Sequence, residues 1–481
     1  MLPCTIARRT LPALLALALG AAPAAAQYYQ TDFPAEEFQA RWSAVYDAIG
    51  DDAVAVVQGM PRTDGYIFPR QYNTFYYLSG VEVPGAYMVL DGGTRRATLF
   101  LPPRDERLAR AEGLELSAQD GEFARRAIGV DSVASTEDMS PTTWPIGAGG
   151  DRPVIYAELS PAEGHQQSRG ELRAAETARV LDPWDGGTSR QRRFVELLRA
   201  RQPRSEIRDL NPVLDELRSI KSPREIALIR RACQLAGFGV TEAMRSTERG
   251  VYEYQLDAAA RYMFNLHGAR LDGYRPITAS GTENINRLHY FRNLEQLKDG
   301  DLVLMDFAPD YRYYVCDIGR VWPVSGTYRD ETQRELIQFI LEYHKAVMSR
   351  IRPGVTADQI MAEAAEAMET VFARTRFSKP IYEAAARTLV QRGGGVFSHT
   401  VGMAVHDVGS YRSAPLMVGQ VFSVDPQLRV PEESLYLRYE DTVVVTPTGV
   451  ENFTDFMPME LADMERTVRE QGVVQKVPVV F

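Results

Sequence analysis

The chain has 481 residues, of which 45% are hydrophobic and 25% are charged. This composition is ordinary for a folded globular protein and argues against a largely disordered chain, and the length allows two or more domains. The formal net charge of -10 and the lack of a long basic run argue against a nucleic-acid-binding surface.

The first residues, Met1–Ala26, have the pattern of a secretory signal peptide. Arg8 and Arg9 precede an apolar run, and Ala24–Ala26 form an Ala-x-Ala cleavage site before Gln27. The run is short for a membrane span, so we expect cleavage and a secreted or periplasmic protein. An uncleaved anchor stays open as the alternative, as does the choice between general and twin-arginine export. No later segment has the apolar length of a membrane span.

The cysteine content is low. Cys4 would leave with the signal peptide, so the mature chain would keep only Cys233 and Cys316. Two cysteines exclude a disulfide framework, and the sequence does not decide whether they form a single bridge.

Residues 38–207 predict an α/β domain, because short apolar segments alternate with charged stretches of helical character. The predicted strands include Ala53–Val57, Tyr87–Leu90, Ala97–Leu101 and Val154–Ala157. The segment Met139–Arg152 is rich in Pro, Gly and Thr and predicts a loop.

A second domain is predicted to begin near Ser222. This serine can cap a helix, Pro223 suits the first helical position, and Glu225 completes a capping box. Farther on, Gly250 and Gly354 are each preceded by a long amphipathic segment and followed by another. This echo predicts two related helix–helix–strand units in which the first helix ends at the glycine, with chance similarity as the alternative.

The first predicted strands of this domain carry two aspartates. Leu302–Met305 leads into Asp306, and Tyr313–Trp322 contains Asp317. A turn around Pro309–Asp310 would pair the two segments as a hairpin and bring the aspartates together. A carboxylate beside an apolar strand is costly to bury without a partner, and a metal ion would be such a partner. A solvated strand end is the alternative.

Two more carboxylates follow in the last predicted strands. Asp425 comes directly after Val421–Val424, and Glu440 lies within Leu435–Val445. Arg438 shares a strand face with Glu440 by the two-residue period, so it could orient this carboxylate or bind a substrate carbonyl or terminus. An exposed cross-strand ion pair is the alternative.

Two of the six histidines, His399 and His406, lie within one glycine-containing stretch, and His289 precedes Asp306 by 17 residues. Imidazole suits both metal ligation and proton transfer. The remaining three are interpreted as structural or surface residues: His165, His267 and His344. Five of the singled-out residues are enough to hold two divalent metals that activate water for hydrolysis: Asp306, Asp317, His399, Asp425 and Glu440.

The order and spacing of these residues resemble the metallopeptidases with a pita-bread catalytic fold, which include methionine aminopeptidase, Xaa-Pro aminopeptidase and prolidase. The resemblance rests on several short motifs: Leu288–Tyr290, Asp306, Asp317–Arg320, His399, Val405–Gly409, Asp425–Pro426 and Arg438–Asp441. In the first half, Arg70–Gly80 followed by Val83–Ala86 is similar to the N-terminal domain of aminopeptidase P. Methionine aminopeptidases lack this domain, whereas prolidases can carry a similar one.

The resemblance implies a combination of α/β and α+β architecture. An N-terminal α/β creatinase-like domain would be followed by a pita-bread catalytic domain with a pseudo-two-fold repeat. The implied boundaries are a signal peptide at 1–26, an N-terminal domain at 27–218, a catalytic domain at 219–472 and a tail at 473–481.

The resemblance also implies a metal-dependent aminopeptidase that hydrolyses the bond between an N-terminal residue and a following proline. The five ligands would hold two divalent ions, Mn2+ by the family's usual pattern, with a bridging hydroxide that attacks the peptide carbonyl. His289 and His406 would contact the substrate and stabilise charge on its carbonyl oxygen, Asp425 would accept the water proton, and Arg438 would bind substrate. The expected partner is a proline-containing peptide, and a homo-oligomer stays open.

Four positions depart from the family pattern. Asp425 stands where glutamate is usual, Gly319 replaces a hydroxyl residue, Gly395 replaces a histidine of aminopeptidase P, and Arg429 replaces a tyrosine. The last two bear on proline recognition. Prolidase activity stays open as an alternative because prolidases can carry a similar N-terminal domain. Functions of another class also stay open, because the same fold hosts creatinase-like hydrolysis and non-peptidase lyases, and a degenerate site could merely bind peptides.

Overall fold

The computed structural model describes residues 29–62, 65, 67–139 and 154–477. The predicted signal peptide, Met1–Ala26, lies outside the described residues, as does the predicted loop Met139–Arg152 apart from its first residue. Of the predicted tail, residues 473–477 are described and 478–481 are not.

The described residues of the N-terminal domain form six strands: β1 (Ala53–Gln58), β2 (Tyr87–Asp91), β3 (Arg96–Leu101), β4 (Ser132–Ser135), β5 (Val154–Ala157) and β6 (Glu206–Asp209). They make one mixed sheet in the order β4-β3-β2-β1-β5-β6. The central strand β1 is buried along its whole length and pairs antiparallel with β2 and parallel with β5. All four strands named from the sequence are confirmed.

In the described part of this domain, seven α-helices accompany the sheet, as the alternating pattern predicts for an α/β domain. They are α1 (Ala35–Ile49), α2 (Asn73–Ser79), α3 (Glu106–Glu112), α4 (Gly121–Ile128), α5 (Arg169–Leu181), α6 (Arg190–Arg201) and α7 (Asn211–Ser219). The predicted domain boundary between residues 218 and 219 falls in the last turn of α7, and its position stays a prediction.

The strands of the C-terminal domain are β7 (Leu271–Asp272), β8 (Ile277–Ser280), β9 (Leu302–Asp306), β10 (Pro309–Tyr311), β11 (Tyr314–Val315), β12 (Gly319–Pro323), β13 (Val421–Val424), β14 (Gln427–Val430), β15 (Leu435–Arg438), β16 (Asp441–Thr446) and β17 (Gly449–Asn452). Across the described residues they form four small antiparallel sheets. The strand orders are β11-β10-β7, β12-β9-β8, β13-β16-β17 and β14-β15.

The helices of this domain begin with the capped helix predicted at Ser222. The Ser222 side chain accepts from the Glu225 amide, the Glu225 carboxylate accepts in return, and Pro223 opens the helix. The helices are α8 (Pro223–Arg245), α9 (Glu253–Leu266), α10 (Gly281–Ile285), α11 (Glu331–Met348), α12 (Ala357–Arg374), α13 (Pro380–Arg392), α14 (Leu461–Val468) and α15 (Val473–Lys476). Within the described residues, none of the helices combines the length and apolar character that crossing a membrane requires.

The predicted internal repeat is visible in the helix order. Helices α8 and α9 flank Gly250, α11 and α12 flank Gly354, and both glycines have positive φ, +93° and +82°. The predicted helix ends were wrong, because α8 stops at Arg245 and α11 at Met348, several residues before each glycine. The second unit also contains an extra helix, α13, before its strands.

The predicted hairpin has the right strands and the wrong turn. Strands β9 and β12 pair antiparallel, but Pro309 and Asp310 lie in the intervening strand β10. The chain reverses at Arg312 and Tyr313, whose φ angles are +52° and +75°. A proline–aspartate pair is typical of turns, yet here the partner strand β7, distant in sequence, determines the conformation.

The two domains share one hydrophobic core. A continuous cluster of buried side chains runs from Phe38 and Trp42 on α1 to Ile229 on α8 and Trp322 on β12. In the same cluster Cys233 forms a disulfide with Cys316, with Cα atoms 4.9 Å apart. The N-terminal domain is therefore packed firmly against the half of the chain that carries the predicted site.

Candidate active site

Strand register brings the first two aspartates of the site together. Asp306, the last residue of β9, is opposite Gly319 of β12, so Asp317 lies just beyond the end of this pair. Gly319 also exchanges two backbone hydrogen bonds with Glu440, at 3.0 and 3.2 Å. A Cβ atom at position 319 would lie 3.3 Å from the Cβ of Glu440, so glycine allows this close approach.

Strand register also brings the last two carboxylates, Asp425 and Glu440, together. In the β13–β16 pair Val424 is opposite Asp441, so Asp425 and Glu440 leave the pair at the same end. Both side chains are essentially buried, with 1% and 0% of their residue surface exposed. The backbone bridge to Gly319 places this end against the first two aspartates.

Three of the five predicted ligands already have the spacing of a metal site. One ligand atom each from Asp317, His399 and Glu440 lies within 4.8 Å of the others. The Nε2 atom of His399 is 3.2 Å from Oδ2 of Asp317. A carboxylate–imidazole set of this kind suits several divalent cations.

The other two predicted ligands meet the buried Arg438 side chain. Its guanidinium donates to Oδ2 of Asp306 at 2.6 Å, to Oδ1 of Asp425 at 2.9 Å and to Oε2 of Glu440 at 2.5 Å. Arg438 is only 6% exposed, so the alternative of an exposed ion pair is wrong. The interpretation that Arg438 orients Glu440 agrees with this geometry.

The charge balance of the cluster favours cations. Among the described residues, four buried carboxylates share one arginine, and Oε1 of Glu440 lacks a hydrogen-bond partner. Burial raises the pKa of Asp317, Asp425 and Glu440 well above the ordinary values, despite the opposing effect of Arg438. Uncompensated buried charge is unfavourable, so the donor set fits divalent metal ions.

Two residues that the sequence analysis missed support the aspartates. The Tyr274 hydroxyl lies 2.7 Å from Asp306 and 3.0 Å from Asp317, and it links their carboxylates. The Thr442 hydroxyl accepts from the Asp317 amide at 2.8 Å. Thr442 follows Glu440 by two residues, a spacing that could have pointed to it, whereas Tyr274 is 32 residues from Asp306 and gives no local signal.

The histidines lie above this cluster, where the N-terminal domain reaches the site. His406 is next to His399, with ring centroids 4.2 Å apart. The Nδ1 atom of His406 is 2.8 Å from the Glu171 carboxylate, and its amide donates to Ser168 at 3.3 Å. Burial lowers the pKa of His289, His399 and His406, which favours neutral imidazoles. The contacts from α5 could not be predicted from sequence.

A cavity of about 580 Å³ opens over these groups. Residues of both domains line it, and five of the residues predicted from sequence are among them: His289, His399, His406, Asp425 and Arg438. Asp306, Asp317 and Glu440 lie in the cluster beneath, so the structure brings all eight together. Arg429 stands apart from the cavity lining, with its guanidinium 4.0 Å from the Tyr436 ring centroid. The three histidines interpreted as structural are elsewhere; His344, for example, contacts Asp441 at 3.0 Å.

This fold and site define a two-domain metallopeptidase. The N-terminal part matches the aminopeptidase P N-terminal domain over residues 38–156, and the following part matches metallopeptidase family M24 over residues 227–447. The chain belongs to metallopeptidase family M24. The pita-bread resemblance and the two-domain fold are thus confirmed.

Individual relatives agree with this assignment. The chain is 32% identical over 444 residues to the Xaa-Pro aminopeptidase of Escherichia coli (strain K12), covering 87% of this chain and 94% of that protein. It is 28% identical to Xaa-Pro aminopeptidase 3 of Homo sapiens, covering 82% and 76%. A structure of zinc-substituted E. coli aminopeptidase P in complex with product superposes with a TM-score of 0.73 at 28% identity, covering 92% and 100%. The protein is therefore a metal-dependent hydrolase of the aminopeptidase type, and the prolidase alternative is not favoured.

Metal binding is expected to release protons and to weaken in acid. The pKa of Asp317, Asp425 and Glu440 is raised in the metal-free site, so a cation must displace protons from these oxygens. As the pH falls, protonated sites increase and affinity decreases, by about tenfold per pH unit for each proton released. Calorimetry in two buffers of different ionisation enthalpy measures the released protons. Affinity that is independent of pH between about 5 and 7, with no proton release, would contradict the expectation.

Proposed function

We propose that this aminopeptidase removes the first residue of peptides whose second residue is proline. The observation that carries the proposal is the buried carboxylate–histidine cluster, which lies beneath a cavity lined by both domains. The E. coli and human relatives named as Xaa-Pro aminopeptidases support the proline specificity.

The metal content belongs to the same proposal. Two divalent ions, Mn2+ in particular, would be held by Asp306, Asp317, His399, Asp425 and Glu440. Four carboxylates against one arginine offer the negative charge that two such ions need, and the oxygen-rich donor set suits manganese. When bound, these metals supply Lewis acidity that activates water and polarises the scissile carbonyl.

The remaining groups act on substrate and protons. Asp425 lies at the floor of the cavity, where its carboxylate can accept a proton from the attacking water. His289 and His406 line the same cavity, and as neutral imidazoles each has one ring N–H that can donate a hydrogen bond to the carbonyl oxygen. Arg438 holds Asp306, Asp425 and Glu440 in place through its three hydrogen bonds and reaches the cavity, where it would contact the substrate.

A panel of short peptides tests the proposal. Purified protein with Mn2+ is expected to release alanine from Ala-Pro-Ala, and Ala-Ala-Ala is expected to be a much poorer substrate. A chelator should stop the reaction and added Mn2+ should restore it. Cleavage of Ala-Pro but not Ala-Pro-Ala would instead indicate a prolidase. Absence of hydrolysis with any divalent metal, although metal binds, would refute the peptidase function.

We also propose export to the periplasm or outside the cell, with removal of Met1–Ala26. The support is the pattern of Arg8 and Arg9, the apolar run and the Ala-x-Ala site. The buried Cys233–Cys316 disulfide is consistent with an oxidising compartment. Fractionation of cells and sequencing of the mature N-terminus test this, with a start at Gln27 as the expected result.

A further inference from the structure

The Asp425 carboxylate is fixed at both oxygens. Its Oδ1 accepts from Nε of Arg438 at 2.9 Å, and its Oδ2 accepts from the side-chain amide of Gln427 at 2.5 Å. Arg438 also contacts other members of the cluster, whereas Gln427 has its only side-chain hydrogen bond among the described residues with Asp425. The Gln427 side-chain amide therefore positions the Asp425 carboxylate and no other member of the cluster among the described residues.

The two donors come from a single rung of a hairpin. Gln427 on β14 and Arg438 on β15 are directly opposite each other in the antiparallel register. Side chains in such a pair lie close together on the same face, so both reach Asp425 from one side of the sheet. The carboxylate is thereby held in one orientation toward Glu440 and Asp306.

Gly395 provides the room that Gln427 occupies. Its φ of +76° favours glycine, and its carbonyl oxygen accepts from the Asp425 amide at 3.3 Å. A Cβ atom at position 395 would lie 2.1 Å from the Asp425 carbonyl oxygen and 2.9 Å from Nε2 of Gln427. A side chain at position 395 and the observed position of Gln427 are thus mutually exclusive.

We propose that Gln427 is a positioning residue for the metal site, and that it sets the orientation in which Asp425 faces the metals. The inference rests on the proposed role of Asp425 as a ligand. Aspartate is shorter than glutamate by one methylene, about 1.5 Å of reach, and has fewer rotatable bonds with which to adjust. The hydrogen bond from Gln427 to Oδ2 therefore matters more for metal binding by Asp425 than it would for binding by a glutamate at this position.

Substitution of Gln427 by methionine tests this role. Methionine has a similar length and fills the space above Gly395, but it cannot donate a hydrogen bond. Loss of such an outer partner typically lowers metal affinity by about 10- to 100-fold. We expect Q427M to bind Mn2+ more weakly by this factor, measured by calorimetry or by electron paramagnetic resonance of free Mn2+. Thermal unfolding of the metal-free variant should stay close to that of wild type.

A matched control tests whether weaker Mn2+ binding in Q427M is specific to this position, or whether loss of any glutamine hydrogen bond has the same effect. Gln296 donates to the Gly250 carbonyl at 2.9 Å, away from the site, so Q296M should bind Mn2+ as wild type does. If Q427M does not fold, Q427A removes the donor without adding volume and takes its place.

The outcomes distinguish this inference from the proposed function. Unchanged Mn2+ affinity in Q427M, or an equal loss in Q296M, would overturn the positioning role while leaving a functional metal site. A wild-type protein that binds no Mn2+ would overturn the positioning role and the proposed metal content together. Weaker binding in Q427M alone, with an unaltered unfolding temperature, would support it.

Discussion

Substitution of Glu440 by glutamine is expected to remove at least one bound metal ion and to lower kcat/KM by about 10²-fold or more. Glu440 is fully buried and lies within 4.8 Å of Asp317 and His399 in the metal-site cluster. Glutamine retains the shape of the side chain and loses the negative charge that a cation requires. The loss should appear in metal stoichiometry as well as in peptide hydrolysis.

The thermal stability of the metal-free Glu440→Gln variant is expected to change in the opposite direction from its activity. Burial raises the pKa of Glu440, and the nearby Asp317 and Asp306 raise it further against the effect of Arg438. A neutral amide relieves this repulsion, so the metal-free variant should unfold at the same or a higher temperature than metal-free wild type. Added Mn2+ should then stabilise wild type and have little effect on the variant.

Glu451 offers a matched control on strand β17. It pairs with Arg230 at 2.7 Å, and both side chains are more than one-third exposed. Such surface pairs contribute at most about 1 kcal/mol. Glu451→Gln should therefore retain both metal binding and activity. Full activity and metal content in Glu440→Gln would show that this carboxylate is not a ligand.

Much of this site could be predicted because its residues lie at the ends of strands. Apolar runs before Asp306 and Asp425 identified buried strands, and the two-residue period linked Arg438 to Glu440. A carboxylate beside a buried strand is unusual enough to be noticed. The hairpin prediction paired the strands of Asp306 and Asp317 correctly. That these strand ends meet those of Asp425 and Glu440 came from the family resemblance, because no local pattern tells which distant strand ends will meet.

The parts that could not be predicted depend on contacts between distant segments. Tyr274, in the connection between β7 and β8, links Asp306 and Asp317, and Glu171 reaches His406 from the N-terminal domain. The misplaced turn has the same origin, since Pro309 is held in strand β10 by pairing with β7. No local pattern links Gln427 with Gly395, because the two residues are related only by the space that the missing side chain at position 395 leaves for the Gln427 side chain.

Asp407, next to His406, is the buried centre of an ion-pair network that joins the two domains. It contacts Arg218 at 2.5 Å and Lys221 at 3.1 Å, and all three side chains are 1% exposed. Arg218 also contacts Glu163 of the N-terminal domain at 3.3 Å. Burial by itself would raise the pKa of Asp407, but the two cations, Arg218 and Lys221, hold this pKa below its ordinary value.

Substitution of Asp407 by alanine is expected to lower the free energy of unfolding by about 3–5 kcal/mol, because it leaves buried cations without their partner. Lys221 is affected most, since its other hydrogen bond is to the Arg218 carbonyl. The depressed pKa means that the carboxylate contributes stability above about pH 4, and this contribution is lost as pH falls through the folded-state value. Urea unfolding at neutral pH should therefore show the full difference.

Asp463→Ala provides the comparison, since this half-exposed aspartate pairs only with Arg466 on the surface of α14 among the described residues. Its loss should cost less than about 1 kcal/mol. Activity of Asp407→Ala should fall even at temperatures where the variant is folded, because the adjacent His406 loses the rigid support that keeps it over the carboxylate cluster. An unfolding free energy within about 1 kcal/mol of wild type would mean that the cations find water or other partners. In that case the network would join the domains without holding the histidine in place.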